Sequence, residues 1–324
     1  MRTHPSPYPL LAALLLWTLS ALAAAAPLSG TWTGKAYDDK LQLDVRFAEH
    51  GNMGLGVPRS AFQGLNTAEG ADTSFQLVRE AGTLKFQGRF SGGEGAGHYQ
   101  FEPHAAWLQE MAKLGYKEIA PKEQLQLALF DMGPARVTAL AELGYTNIPH
   151  DDLLEVAIFQ VTPEHILAMK AAGYDKLTLE ELVATRIHGV TPEHIRELAD
   201  AGLGKLDIDD LVGTRIHGVT AAFVREAQGL GLGKLDMDKL MAMRIHGVTP
   251  DFIREVKGLG FANPTLDELL AMRIHGVTPK FVREIREAGY PNVTLEQLVD
   301  MRIHSIDANY VRSLAGNKSK GGKE

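Results

Sequence analysis

The chain has 324 residues, 45% of them hydrophobic and 23% charged, with a formal net charge of −7. That length predicts two domains, or one domain plus a repeat array, and the acidic balance argues against a general nucleic-acid binder, which needs a basic face to neutralise phosphates. There is no cysteine, which excludes disulfides, thiolate chemistry, zinc–thiolate sites and a lipid-anchored cysteine.

Arg2 and His4 precede an apolar run from Leu10 to Ala26 that ends in Ala21, Ala23, Ala24, Ala25 and Ala26. A positive start, a short apolar middle and an A-x-A-like end predict a secretory signal peptide over 1–26. Cleavage is expected near Ala23, because Pro27 is a poor first residue after a cut. The other reading is a retained anchor, since 17 apolar residues sit at the lower limit of about 17–25 for a spanning helix. Loss of Arg2 takes the charge from −7 to −7 − 1 = −8. No later stretch is apolar enough to span a bilayer, so the expected location is the periplasm or the medium.

From 27 to 103 the pattern has period two. Leu41–Phe47, Phe75–Val78, Leu84–Phe90 and Gly97–Phe101 alternate apolar and polar residues, as strands with one buried face do. Turn residues separate them at Asp38-Asp39, Gly51-Asn52, Ala81-Gly82 and Gly92–Gly95. About six antiparallel strands in up-and-down order, curled into a sheet or small barrel, are expected. Trp32, in Gly-Thr-Trp-Thr-Gly, is either a stacking platform for a sugar or lipid or the ring that fills the interior. The residue pattern favours the interior. The Gly92–Gly95 stretch lacks phosphate-loop spacing and reads as a hairpin tip.

The remainder is organised by the string Arg-Ile-His-Gly-Val-Thr at 186–191, 215–220, 244–249 and 273–278, with an altered copy, R-I-H-S-I-D, from Arg302. Neighbouring copies start at one constant interval (215 − 186 = 29), and so do the Gly–apolar pairs beginning at Gly115, Gly144, Gly173, Gly202, Gly231, Gly260 and Gly289. A fixed period of this size marks stacked supersecondary units. About seven two-helix units are expected over 104–316, forming an α-solenoid, followed by a basic tail over 317–324. A Thr-Pro pair opens the first helix at 162–163, 191–192, 249–250 and 278–279, and a glycine closes it, as Gly202 does. Thr or Asp at 178, 207, 236, 265 and 294 opens the second, with Glu181, Asp210, Glu268 and Gln297 placed to close capping boxes. Gln124 falls where a leucine is expected, which suits an end unit.

The histidines of the string (188, 217, 246, 275, 304) form a ladder whose spacing of about 8–10 Å is far too wide to share a metal bound at about 2.0–2.1 Å. A structural role at helix C-termini is expected, and no metal or cofactor. The arginines of the string, with Arg196, Arg225, Arg254, Arg283 and Arg312, either pair with glutamates between units or grip an acidic partner. Positions constant between units are expected to serve the stack, and variable ones to read a partner. The candidate binding residues are therefore Glu193, Asp251, Lys257, Lys280 and Arg286. A small-ligand site around Trp32, or near Trp107 and Tyr116, is the alternative. H-E-x-x-H, G-x-S-x-G and G-x-x-x-x-G-K-[ST] are all missing, so no enzyme is expected.

The units (L-T-L-E-E-L-V-A-T-R-I-H-G-V-T-P-E-H-I-R-E-L is one) resemble helical repeats attached to bacterial membrane metallopeptidases of the beta-lactam sensor/antirepressor type. They are also similar to those of uncharacterised secreted bacterial repeat proteins. The resemblance covers 104–316. The zinc motif and membrane helices of the sensor's protease are missing, so no catalytic residue carries over. What the resemblance implies is an extracytoplasmic accessory or sensing module: a scaffold for a protein or peptide partner.

Overall fold

The computed structural model describes residues 28–47 and 51–318; the expected signal segment and most of the expected tail lie outside them. Two compact units divide the chain. One holds the sheet together with Ala120–Leu125, and the other holds the remaining helices.

The first unit is an antiparallel half-barrel of seven strands: β1 (Leu28–Tyr37), β2 (Lys40–Phe47), β3 (Asn52–Pro58), β4 (Phe62–Gln63), β5 (Asp72–Arg79), β6 (Gly82–Ser91) and β7 (Glu94–Pro103). Their order is β3-β2-β1-β7-β6-β5-β4. The first and last strands pair from Leu28↔Phe101 to Lys35↔Glu94, so the meander nearly closes, and the seam left open lies between β3 and β4. Period-two alternation decides the inner face: Leu41, Leu43 and Val45 of β2 are buried while Lys40, Gln42 and Arg46 are exposed. The Gly92-Gly93 tip joins β6 to β7 with φ of 62° and 77°, the double positive φ that a two-residue hairpin turn needs. The expectation of about six strands falls short because β3 carries Gly54 and Gly56, which weaken its strand signal.

Trp32 fills the inner face at 1% exposure. Its ring meets Phe75 edge-on at 5.2 Å and Phe86 at 5.9 Å, and Nε1 donates to the Gln87 carbonyl at 3.1 Å. Glycine makes room for it: a Cβ at Gly88 would lie 2.9 Å from Trp32 Cζ2.

Fifteen helices follow among the described residues. The first helices of the units are α1 (Ala105–Lys113), α3 (Pro134–Glu142), α5 (Pro163–Ala171), α7 (Pro192–Leu198), α9 (Ala221–Gln228), α11 (Pro250–Gly258), α13 (Pro279–Glu287) and α15 (Ala308–Lys318). The second helices are α2 (Pro121–Leu129), α4 (His150–Ile158), α6 (Leu179–His188), α8 (Ile208–His217), α10 (Met237–His246), α12 (Leu266–Ile274) and α14 (Leu295–Ile303). Both series of starts keep the period of the string throughout, from Ala105 to Ala308 and from Pro121 to Leu295. The register therefore reaches the first unit without a slip. From α4 to α14 each second helix packs on the next, and first helices pack likewise at α3–α5, α7–α9 and α13–α15. The last helix runs to Lys318, past the boundary at which the tail is expected to begin.

Gln124 is not a flaw in the pattern. It is buried and its Nε2 donates to the carbonyls of Ala81 at 2.7 Å and His104 at 3.3 Å. The start of α2 belongs to the β unit, so its inward position meets strand-end carbonyls, to which a leucine would offer no donor.

Local chemistry sets the helix ends. Thr162, Thr191, Thr220, Thr249 and Thr278 each accept the N–H three residues on. Capping boxes close at Thr178/Glu181, Thr265/Glu268 and Thr294/Gln297. Asp207 caps α8 through the Asp210 N–H, but Asp210 does not return the bond to close the expected box. Second helices end on a left-handed residue, Gly189, Gly218, Gly247 and Gly276 at φ of 67–71°, with Asp131, Gln160 and Ser305 at the same place in the other units at φ of 54–57°. L side chains are strained there, so Ser305→Gly is expected to raise stability by about 0.5–1 kcal/mol. Gly247→Ala is expected to lower it by about 1–2 kcal/mol, since its Cβ would also lie 2.7 Å from Arg273 Nη2. Urea midpoints of the two variants check both signs.

Candidate functional site

Arginine in the repeated string fastens each unit to the one before. Nε of Arg186, Arg215, Arg244, Arg273 and Arg302 donates to the carbonyls of Phe159, His188, His217, His246 and Gly276, at 3.0–3.3 Å. Three of the guanidinium groups also lie over a ring on the preceding first helix: Arg244 over Phe223 at 5.0 Å, Arg273 over Phe252 at 4.9 Å and Arg302 over Phe281 at 4.7 Å. Glycine supplies the left-handed cap, and the valine after it is buried, its N–H returning to the helix, as from Val219 to the Thr214 carbonyl at 2.8 Å. Threonine caps the next helix. Arg, Gly, Val and Thr are thus constant for the sake of the stack.

Isoleucine and histidine are not. Ile187, Ile216, Ile245, Ile274 and Ile303 are 51–56% exposed. Among the described residues, no hydrogen bond reaches the imidazoles of His188, His217, His246, His275 and His304; the part these positions play at the helix C-termini is main-chain, the carbonyls of His188, His217 and His246 accepting from the next unit's arginine. The isoleucines and the residues seven positions earlier share a helix face, and those earlier residues are acidic and exposed: Glu180, Asp209, Asp238, Asp267 and Glu296. Between them lie half-exposed Val212, Met241, Leu270 and Val299, beside Ala184, Gly213, Ala242 and Ala271. Gly213 keeps this strip continuous, since a Cβ there would lie 2.9 Å from Met241 Sδ in the next unit. From α8 to α12 the second helices therefore present acid at their N-terminal ends, aliphatic and small residues in the middle, and the consecutive arginine, isoleucine and histidine at their C-terminal ends; in α6 the middle position Val183 is buried, and in α14 exposed Asp300 takes the small residue's place.

The first helices present a polar face. Glu193, Asp251 and Lys280 are exposed there, Glu193 paired with Arg196 at 2.8 Å and Asp251 with Arg254 at 2.6 Å, and Lys280 near Glu284 at 3.6 Å. Lys257 and Arg286 are half-buried and engaged between units, donating to the carbonyls of Leu230 at 2.7 Å and Leu259 at 2.6 Å, and Arg286 lies over Phe261. Of the expected arginine–glutamate pairing between units, the structure contains Arg254–Glu226. The residues considered for a small ligand are interior ones. The Trp32 ring has no open face, Trp107 is buried, and Tyr116 is buried with its hydroxyl donating to the Ile148 carbonyl at 3.0 Å. An open depression of about 540 Å³ on the sheet is lined by Gln42, Asp44, Arg89 and others, with Lys35 and Glu94 in it paired at 3.0 Å. Among the described residues no group of three or more His, Cys, Asp or Glu is placed to hold a metal ion, and no helix is long and apolar enough to cross a membrane.

The chain matches no protein-family model, no curated protein and no solved structure.

A pair that the period alone does not advertise joins the two helices in each of two units. His165 Nε2 meets Thr185 Oγ1 at 2.9 Å and His194 Nε2 meets Thr214 Oγ1 at 2.8 Å. From the next unit onward both partners turn apolar together, as Phe223/Met243, Phe252/Met272 and Phe281/Met301. Burial, reinforced by the neighbouring Arg186 and Arg215 charges, holds both imidazoles below the ordinary histidine pKa. One unit before His165 the same position is Arg136. It donates to the Phe130 carbonyl at 3.3 Å and the Val156 carbonyl at 3.1 Å, doing the fastening where Ala157 replaces the string's arginine.

Proposed function

We propose that the helical units form an α-solenoid that works as a non-enzymatic protein-interaction scaffold outside the cytoplasm, docking its partner along the exposed isoleucine row. The observation that carries this is the set of five isoleucines, 51–56% exposed, that recurs once in each successive unit. A side chain kept at one place in every unit without burial in the stack has its use elsewhere, and contiguous exposed apolar patches of this kind mark interaction sites. The likeness to helical extensions of beta-lactam sensors, and the N-terminal segment with its leader pattern, support an accessory or sensing role there. The variable first-helix face, already laced with its own ion pairs, is the secondary surface in this reading.

Affinity capture from periplasmic extract, with the full chain as bait, tests it. The triple variant Ile216→Asp, Ile245→Asp, Ile274→Asp should lose captured protein tenfold or more at unchanged melting temperature, because exposed positions tolerate charge. Asp251→Lys with Lys280→Glu should lose little. The reverse pattern would move the docking face to the first helices.

A further inference from the structure

We propose that the outer face of the half-barrel carries a binding site for an acidic sugar, a hydroxylated ring bearing one carboxylate or phosphate. The site is a depression of about 470 Å³ to which Ser29, Thr31, Arg46, His98 and Gln100 contribute outward side chains. It lies on the sheet and is independent of the docking reading of the helical units. Strand register gives it its shape. Thr31 pairs with Arg46 on one side and with His98 on the other, so these two stand about 10 Å apart, at two strand spacings. Thr31 and Ser29 are short, and the gap between the longer side chains stays open above them. Gln100, paired with Ser29, closes one corner.

What sets this depression apart is that its polar groups are unspent. In the neighbouring one Lys35 pairs with Glu94 at 3.0 Å, and Arg89 donates to the Gly70 carbonyl at 3.1 Å. In a third on the same face, Gln76 donates to Gln63 at 2.8 Å and Lys85 pairs with Glu102 at 2.5 Å. Among the described residues, no hydrogen bond or ion pair reaches the side chains of Ser29, Thr31, Arg46, His98 and Gln100. Asp44, two residues before Arg46 on the same face, makes no ion pair with it and reaches over Gly54 of β3, where a Cβ would lie 2.7 Å from its Oδ1. A guanidinium left in this state is a bidentate partner for a carboxylate or a phosphate, and His98 offers a ring N–H across the gap. The hydroxyls of Ser29 and Thr31 and the Gln100 amide both donate and accept, as the hydroxyls of a sugar ring require. Alternation turns the Phe47 and Tyr99 side chains to the inner face, so a neutral sugar finds no ring to stack on and charge has to carry recognition. The volume falls within the about 300–1,000 Å³ of small-molecule sites.

Isothermal titration calorimetry of the purified full chain tests the site, with glucuronate, glucose 6-phosphate, glucose and inorganic phosphate as probes. An open depression leaves much of its ligand in water, so the two acids are expected to bind with dissociation constants on the order of 0.1–1 mM. Glucose should give no measurable heat, and inorganic phosphate should bind tenfold or more weakly than glucose 6-phosphate. The tighter of the two acids tells whether the anionic group is a carboxylate or a phosphate. Arg46→Gln should weaken both acids tenfold or more. Thr31→Gln, which leaves the charge unchanged but puts a long side chain into the gap, should do the same. Lys35→Gln, outside the depression, should leave binding as it is. All three positions are exposed, so melting temperatures should be retained and should show that a lost signal is not an unfolded sheet. No binding of either acid up to about 10 mM, a ceiling well above the affinity expected of the site, overturns the proposal. Binding that survives Arg46→Gln or Thr31→Gln overturns it as well. Inorganic phosphate bound as tightly as glucose 6-phosphate would leave a bare anion site and overturn the sugar.

Discussion

Replacing Trp32 by alanine is expected to unfold the half-barrel in the full-length chain while the helical units keep their structure. Truncating a buried tryptophan costs about 3–5 kcal/mol, and the Gln87 carbonyl left without its donor adds about 1–3 kcal/mol. A unit of this size has about 0.05–0.15 kcal/mol of stability per residue, on the order of 4–11 kcal/mol over the sheet, so one side chain accounts for most of it. The ring is the hub of the inner face, in contact with Phe75, Phe86 and Phe90. Trp32→Phe keeps part of that packing and loses the N–H bond, so a folded but weakened sheet is expected. Amide exchange followed by mass spectrometry separates the cases: β1, β2, β5, β6 and β7 should lose protection in the alanine variant, while α6 through α14 exchange as before. Wild-type protection of the strands in Trp32→Ala would show that the sheet is held by something other than this ring, and would reopen Trp32 as a residue kept for a ligand.

The repeat period, the cap chemistry and the strand alternation are legible in the residues themselves because each is a local rule. Thr-Pro marks a helix start and the glycine of the string a left-handed stop, and both series of helix starts fall on the register of the string. What is not legible is the division of labour inside a constant string. Constancy between units reads as service to the stack, which holds for Arg215, Gly218, Val219 and Thr220. It fails for Ile216 and His217, since exposure is a property of the packed array and not of the period. Conversely, Lys257 and Arg286 vary between units, yet each donates to the preceding unit's carbonyl. Upstream the link is made instead by Tyr145, through its hydroxyl to the Leu177 carbonyl, and by Tyr174 to that of Leu206. Different side chains supply a donor to the same kind of main-chain acceptor, so residue variation hides a shared role. Arg136 is the same lesson: aligned under His165 and His194 it reads as an outlier, and only with Ala157 beside it does it become a substitute.

The His194–Thr214 pair makes the second large prediction, a coupling with a defined pH sign. Thr214 Oγ1 donates to the Leu211 carbonyl at 2.6 Å, so its oxygen is left to accept from His194 Nε2, which fixes the imidazole as a donor at that nitrogen. Thr214→Met alone buries that N–H without an acceptor and should cost about 1–3 kcal/mol. His194→Phe alone leaves the threonine hydroxyl satisfied by Leu211 and should cost less. The double change recreates the Phe223/Met243 pairing found one unit later and should recover most of the loss, giving a coupling energy of about 0.5–3 kcal/mol in a double-mutant cycle. Burial, and then the Arg215 charge, lower the folded His194 pKa from its ordinary 6.5. On acidification the unfolded chain therefore binds the proton first. The pair's contribution is whole above about pH 6.5 and declines as pH falls from there down through the folded value. His165 titrates in the same sense. Urea unfolding at pH 7.5 and at pH 5 should show the wild type losing stability between the two, and the double variants at 165/185 and 194/214 losing distinctly less. An equal loss in both would place the acid sensitivity in other groups and leave these histidines as fillers of space.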